Sequence, residues 1–303
     1  MGRLKPRNRQ RTFLSGRMKL IIGASVFLLA SVTIFIVIKF SDVEESEAFV
    51  EGDFRSSDSG YWDDEEIWEM YDGDEWVQSS TSPMKDGSVI IIDSGHVVLL
   101  EEEVRLSKLI VLPGAEVRLM TNAIRIDKFK GEGYMKVDGV ADLGDCIVEG
   151  NADFTLGAGG TLKIGSAYGL SKTRKTGNLQ LKGKYYFDED VEYIYNGTLI
   201  QETGSGLPVT IRSLTIDNFE GVNLSSDIRI TEFIDLANGI LFTGDHSVSV
   251  GEKPEDKAQL VYSKGAVCGE LRYMTHLDTE KNLSIPLSDG YSGMEMVLNI
   301  TDS

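Results

Sequence analysis

Cysteine is nearly missing from this chain: Cys146 and Cys268 stand alone and far apart, so no metal-binding cysteine spacing exists and at most one disulfide could form. Two separate buried thiols are the expected state. Histidine is as scarce. None of His96, His246 and His276 lies beside a recognisable nucleophile motif, which leaves no basis for a histidine-based catalytic triad. Acid is absent from the first 40 residues, which carry eight Lys or Arg; the remaining 263 hold 22 basic against 48 acidic residues, a balance of −26. A chain of that charge is a poor partner for nucleic acid, whose phosphates are met by clustered Lys and Arg. Beyond residue 60 no convincing amphipathic helix period occurs either.

What is present begins with "LIIGASVFLLASVTIFIVI", Leu20 to Ile38, nineteen residues without a charge. As a helix it would be about 28 Å long, just enough for a bilayer core. Seven Lys or Arg precede it (Arg3, Lys5, Arg7, Arg9, Arg11, Arg17 and Lys19) and an acidic stretch follows. The positive-inside rule then keeps residues 1–19 in the cytoplasm and exports the remainder, to the periplasm or cell surface, with the bilayer as partner of residues 20–38. The alternative is secretion after signal cleavage. A retained anchor fits better, because the apolar run is long and the nearest small-x-small triplet outside it, Ser46-Glu47-Ala48, lies well past its end.

Residues 39–60 are acidic and rich in Ser and Gly, the composition of a flexible spacer. From residue 61 to 255 short apolar bursts alternate with Gly, Asp and Asn, the pattern of strands and turns. Five stretches share an eleven-residue template with apolar residues at positions one, three, nine and eleven: "VIIIDSGHVVL" from Val89, "LIVLPGAEVRL" from Leu109, "FTLGAGGTLKI" from Phe154, "LTIDNFEGVNL" from Leu214 and "ILFTGDHSVSV" from Ile240. A unit of this kind cannot bury its own apolar face, so units must stack. The expected fold is all-β, a right-handed parallel β-helix-like solenoid preceded by one transmembrane helix. The alternative is a β-sandwich of hairpins, since "IDSGH" is short enough to close one. The stretch "YNGTLIQETGSGLP", Tyr195 to Pro208, interrupts the strands with three glycines and a proline and reads as a corner. It lacks the Lys-Ser/Thr and following helix of a phosphate loop.

The succession "SGYWDDEEIWEM", "GSVIIIDSGHVVLLEEEVRLSKLIVLPGAEVRL", "FTLGAGGTLKIGSAYGL", "VEYIYNGTLIQETGSGLPVTIRSLTIDNFEGVNLSSDIRI" and "LANGILF" resembles a β-helical repeat region of large bacterial cell-surface proteins, adhesin-like and associated with type IX secretion. The resemblance spans roughly Ser59 to Gly251 and implies architecture and address, with no catalytic residues to carry over. Residues 256–303, with "GAVCGELRYM" and "NLSIPLSDGYSGMEMVLNIT", are similar to the opening of the small β-domain that follows in that family, and read as the start of a C-terminal β segment left incomplete.

Two groups of residues are candidate sites. Asp63, Asp64, Asp72 and Asp74 lie in "YWDDEEIWEMYDGDEW" and could offer hard oxygens to Ca²⁺, although the spacing is not that of a calcium hand; the competing reading is a cap in which Trp62, Trp68 and Trp76 cover the first coil. Tyr185, Tyr186, Tyr193 and Tyr195 could stack on sugar rings, but alternation assigns half or more of them to the core. Functionally the chain reads as a membrane-anchored exported solenoid with a structural, adhesive or ligand-display role toward glycans or surface proteins, without catalysis. The alternative is a carbohydrate-active β-helix enzyme, a polysaccharide lyase or hydrolase. Aligning the five template copies shows no stacked carboxylate row with a basic partner, and outward positions such as Arg118, Lys163, Asn223 and Ser249 vary freely.

Overall fold

A computed structural model describes residues 49–84, 87–120, 124–128, 131–251, 258–273, 282–290 and 293–299. The apolar run 20–38, its basic flank and His276 lie outside the described residues. Among the described residues no helix is long and apolar enough to cross a membrane, and a single turn, Glu65–Ile67, is helical.

The chain is all-β, and its long sheets are parallel. Strands that are neighbours in sequence belong to different sheets: Val89–Ile92 runs in one, Val97–Leu100 in a second and Val104–Leu106 in a third. Each then pairs in parallel with its counterpart in the next coil, Ile90 with Leu109, Val98 with Val117 and Val104 with Ile124. The short connections therefore turn corners between three walls of a solenoid-like stack and do not close hairpins.

The register aligns like with like. Along the first wall Phe54, Ile90, Leu109, Met135 and Phe154 stack inward, and along the second Val98, Val117, Ala141, Leu162, Tyr193, Leu214 and Ile234, all buried. A large aliphatic side chain so buried contributes about 1.5–3 kcal/mol. This continuous apolar column is what the eleven-residue template encodes. Three copies place their apolar positions inward as expected: Leu109, Val111, Val117 and Leu119; Phe154, Leu156, Leu162 and Ile164; Leu214, Ile216, Val222 and Leu224. The copy from Val89 is shifted by one, with Ile90, Ile92, Val98 and Leu100 innermost. Its runs "VIII" and "VVLL" are apolar at every position, so alternation could not set their phase. In the copy from Ile240 the first pair shifts likewise, to Leu241 and Thr243.

The copies also turn different corners. The first three join walls one and two; that from Leu214 joins walls two and three; that from Ile240 joins wall three to the first position of the next coil. Their irregular spacing follows from that. The repeat starts earlier than residue 61, because Phe54–Ser56 in the presumed spacer pairs in parallel with the Val89–Ile92 strand. It also runs past residue 255, where Gln259–Tyr262 continues the second wall. Asn282–Ser288 and Gly293–Asn299 then form an antiparallel hairpin.

At the N-terminal end Trp68–Tyr71 and Trp76–Gln78 add two antiparallel strands beneath Phe54–Ser56. Trp62 and Trp68 are buried with ring centroids 4.9 Å apart, the Trp68 indole donating to the Trp62 carbonyl at 2.9 Å and the Trp62 indole to the Pro83 carbonyl at 3.1 Å. Both indole N–H groups are satisfied, so these rings can close the first coil without an orphan donor. Trp76 stays half-exposed with the Arg55 guanidinium 4.7 Å from its ring centroid.

Between walls two and three the coils meet at glycines. Gly165 abuts Gly144, Gly197 abuts Gly165, Gly239 abuts Asn218 and Gly265 abuts Gly239, so a side chain there would enter the backbone of the coil below. Just inside this corner runs a buried amide ladder. Asn178 donates to the carbonyls of Gly144 and Cys146 at 2.8 and 2.6 Å, and Gln201 to those of Ile164 and Ser166 at 2.8 and 3.0 Å. Asn218 donates to the Gln201 side-chain carbonyl at 2.8 Å. These amides serve backbone groups that the corner removes from the sheet ladders.

Candidate functional site

The calcium candidates are used locally. Asp64 accepts from the Glu66 amide at 3.0 Å and caps the helical turn; Asp72 accepts from the amides of Asp74 and Glu75, both at 2.9 Å, and shapes the hairpin. Those two backbone donors, Glu75 first, hold the Asp72 carboxyl below its ordinary range. Asp63 and Asp74 are exposed. Among the described residues no group of three metal-ligating side chains comes together.

The tyrosines divide by strand parity. Tyr193 and Tyr195 are fully buried on the second wall, the Tyr195 hydroxyl donating to the Thr203 carbonyl at 2.7 Å. Their rings have no face to offer a ligand. Tyr185 is half-buried against Phe154 and Phe187, and Tyr186 points outward, 51% exposed. His96 shares a 2.9 Å hydrogen bond with Ser56, and His246 lies 3.8 Å from Asp227. Cys146 is buried, Cys268 half-buried, and both are free thiols.

A stacked charged row does exist, contrary to the alignment of the template copies. Arg118, Asp142 and Lys163 are in register on the outside of the second wall. Arg118 lies 2.7 Å from Glu116 and 3.6 Å from Asp142; Lys163 lies 3.4 Å from Glu116 and 3.6 Å from Asp142. Asp142 was invisible because its coil turns from Val137 to Val140 in two residues and falls outside the eleven-residue pattern. The hydrogen bond that Arg118 donates to Glu116 raises the Arg118 pKa. Arg118 thus faces two carboxylates, which stabilise its charged form and oppose its use as a proton acceptor.

Farther along this wall the row turns acidic. Glu192 lies 3.4 Å from the Thr161 hydroxyl and 3.3 Å from that of Thr215, whose register partner is Asp235. One buried carboxylate oxygen of Asp235 has no hydrogen-bond partner, and desolvation, followed by the charges of Asp217 and Glu192, raises its pKa. The raised value means the folded state binds the proton more tightly, so stability falls as pH rises from the ordinary carboxylate range through the folded pKa. Asp235→Asn is therefore expected to raise the thermal midpoint at pH 7 and to lose that gain near pH 3. Equal gains at both pH values would show that charge is not the cause.

A third feature lies in the insertion between Ile164 and Leu179. From Phe154 to Phe187 there is no acid and there are six bases, Lys163, Lys172, Arg174, Lys175, Lys182 and Lys184, an island in an otherwise acidic stretch of chain. The first-wall ladder ends at Tyr185–Phe187, and the ladder begun by Val104–Leu106 on the third wall breaks off at Leu179–Leu181, before that wall resumes at Gln201–Glu202. A cleft of about 140 Å³ opens there, lined by Leu170, Leu179, Tyr185 and Phe187 together with Ser171, Lys172, Arg174 and Gly206. Burial pushes the Tyr185 hydroxyl up to about 12.

"YNGTLIQETGSGLP" is the strap that closes this junction. The Gly206 amide donates to the Leu170 carbonyl at 2.6 Å, Leu170 to Thr203 at 3.1 Å, and the Lys172 amide to the Ser205 hydroxyl at 3.3 Å. Gly204, at φ +83°, would collide with Leu170 if it carried a side chain. Arg174 has a positive φ of 56°, a conformation that costs a non-glycine residue about 1 kcal/mol or more. Its guanidinium repays this by lying 4.1 Å over the Tyr185 ring and donating to the carbonyls of Lys182 and Gly183. Charge counting along the sequence would have found the basic island; the cleft depends on where two ladders stop.

No family model matches the chain. No curated protein and no solved structure matches it either.

Proposed function

We propose that this chain is a membrane-anchored, exported β-solenoid of the right-handed parallel β-helix type, which displays a ligand-binding surface at the bacterial cell envelope and has no catalytic activity. The observation that supports this most directly is the in-register stack of coils. Equivalent outward side chains recur at the inter-strand spacing, about 4.8 Å, and make an extended face suited to a polymer. The apolar run 20–38 and its basic flank provide the anchor and the orientation.

The row of Glu116, Arg118, Asp142 and Lys163 favours a second reading, a carbohydrate-active enzyme acting on uronate polymers, because carboxylates beside a basic residue are the parts such chemistry uses. Their mutual pairing supports the non-catalytic reading. To separate the two, the full-length protein in detergent micelles is mixed with neutral and acidic polysaccharides while retention and release of unsaturated or reducing ends are both followed. Retention without release is expected. Turnover of any polymer overturns the non-catalytic reading.

A further inference from the structure

We infer that the basic insertion forms a binding site for a polyanionic polysaccharide, with Lys172, Lys175 and Lys182 as the charged contacts and the cleft over Tyr185 and Phe187 as the seat for a sugar face or its acidic substituent. This rests on the display reading and adds the ligand class and its place.

Three independent observations meet here. Charge is the first: outside this insertion most basic groups of the wall strands pair with carboxylates, as with Arg55 to Glu69 at 2.6 Å, Arg125 to Asp127 at 2.6 Å and Arg212 to Asp190 at 2.9 Å. Lys172, Lys175 and Lys182 are exposed, and none has an ion pair among the described residues. Three unneutralised ammonium groups in an acidic shell create a local positive field that selects anions.

Shape is the second. The cleft is lined by aromatic and aliphatic side chains together with cationic and hydroxylated ones, the mixed lining that holds the apolar face of a sugar and its charged substituent together. Exposed Tyr168 and Tyr186 lie on the same segment of chain, and flat aromatic rings are stacking surfaces for further sugar units.

Pre-organisation is the third. The Thr203-to-Gly206 strap and the Arg174 contacts hold the loop in one conformation before any ligand arrives, which lowers the ordering cost of binding. Arg174 is thus a positioning residue, and the lysines make the contacts. A nucleic acid is the less suitable polyanion, because the rest of the described surface is acidic and a duplex would need a long basic track.

The test measures retention of full-length protein in detergent micelles on immobilised polygalacturonate (carboxylate), heparin (sulfate), neutral dextran and duplex DNA. The wild type is compared with Lys172→Gln/Lys175→Gln/Lys182→Gln, and with a control, Arg105→Gln/Lys264→Gln, outside the insertion. Near-ultraviolet circular dichroism verifies that each variant is folded. The expected result is binding to one or both acidic polysaccharides, weakened at least tenfold by the triple substitution and by raised salt, and unchanged in the control. The two acidic polymers distinguish carboxylate from sulfate as the recognised group. Acidic polysaccharide binding that survives the triple substitution overturns the inference and leaves the display reading standing, as does binding of dextran alone. DNA bound as tightly as the polysaccharides and lost in the same variant overturns the assignment to a glycan. Failure to retain any polysaccharide overturns the inference and the display reading together.

Discussion

Gly239→Val is expected to lower the stability of the solenoid by about 3–4 kcal/mol. Gly239 is the single residue between Ile228–Asn238 and Ile240–Val250, at the corner where the chain passes from the second wall to the third. Its φ is +81°, which costs a residue with a β-carbon about 1–2 kcal/mol. A side chain would also run into the Asn218 carbonyl of the coil beneath. Relief requires the coils to separate there, which strains the bonds from the Asn218 amide to the Asn238 carbonyl at 3.2 Å and from the Ala266 amide to the Gly239 carbonyl at 3.1 Å. Each is worth about 1 kcal/mol. Gly244 supplies the comparison: its φ is +57°, but nothing lies within 4 Å of an added β-carbon. Gly244→Val should therefore cost the backbone term alone, about 1–2 kcal/mol. Urea unfolding followed by circular dichroism measures both. Equal losses would mean that coil-to-coil contact at the corner contributes nothing.

Trp68→Ala should cost a similar amount, about 3–5 kcal/mol, the usual range for emptying a fully buried tryptophan site. The effect should be local in a way that a globular core would not show. Stacked coils contact their neighbours in series, so damage at one end frays inward from that end. Trp68 lies opposite Ser56, under the first coil, and loses with its ring the Trp62 contact and a 2.9 Å hydrogen bond. Hydrogen exchange measured by mass spectrometry is expected to accelerate first in residues 53–71, next in Val89–Ile92, and least in the coils beyond Leu179. Uniform acceleration along the chain would contradict the serial arrangement; no acceleration would contradict the cap.

The two predictions draw on features that differ in how easily they can be read. The cap was legible, because three tryptophans crowd into a short acidic stretch at the start of the repeat and a stack of coils has an end that must be covered. The corner glycines were legible as turns and illegible as a column. Gly165, Gly197, Gly239 and Gly265 are unevenly spaced in sequence, and they align only when coils of different length are superposed. The same obstacle hid the charged row at Asp142, which belongs to a coil whose corner is shorter than the template's. Parity within a strand was a better guide: it separates buried Tyr193 and Tyr195 from exposed Tyr186.

By itself the sequence determined the strand-and-turn grammar, the acidic balance beyond residue 40, the apolar run with its basic flank, and the need for units that stack. Apolar periodicity and charge are local quantities, written in consecutive residues, and they suffice for those conclusions. The tertiary structure alone decided which wall each strand joins, the phase of the "VIII" and "VVLL" runs, the partners of Asp142 and Asp235, and the cleft beneath the basic insertion. Each of these depends on residues one coil apart in space and about twenty to thirty apart in sequence, at separations set by insertions of unequal length. Parallel pairing between coils converts that uneven spacing into a fixed register, and register decides which side chains meet.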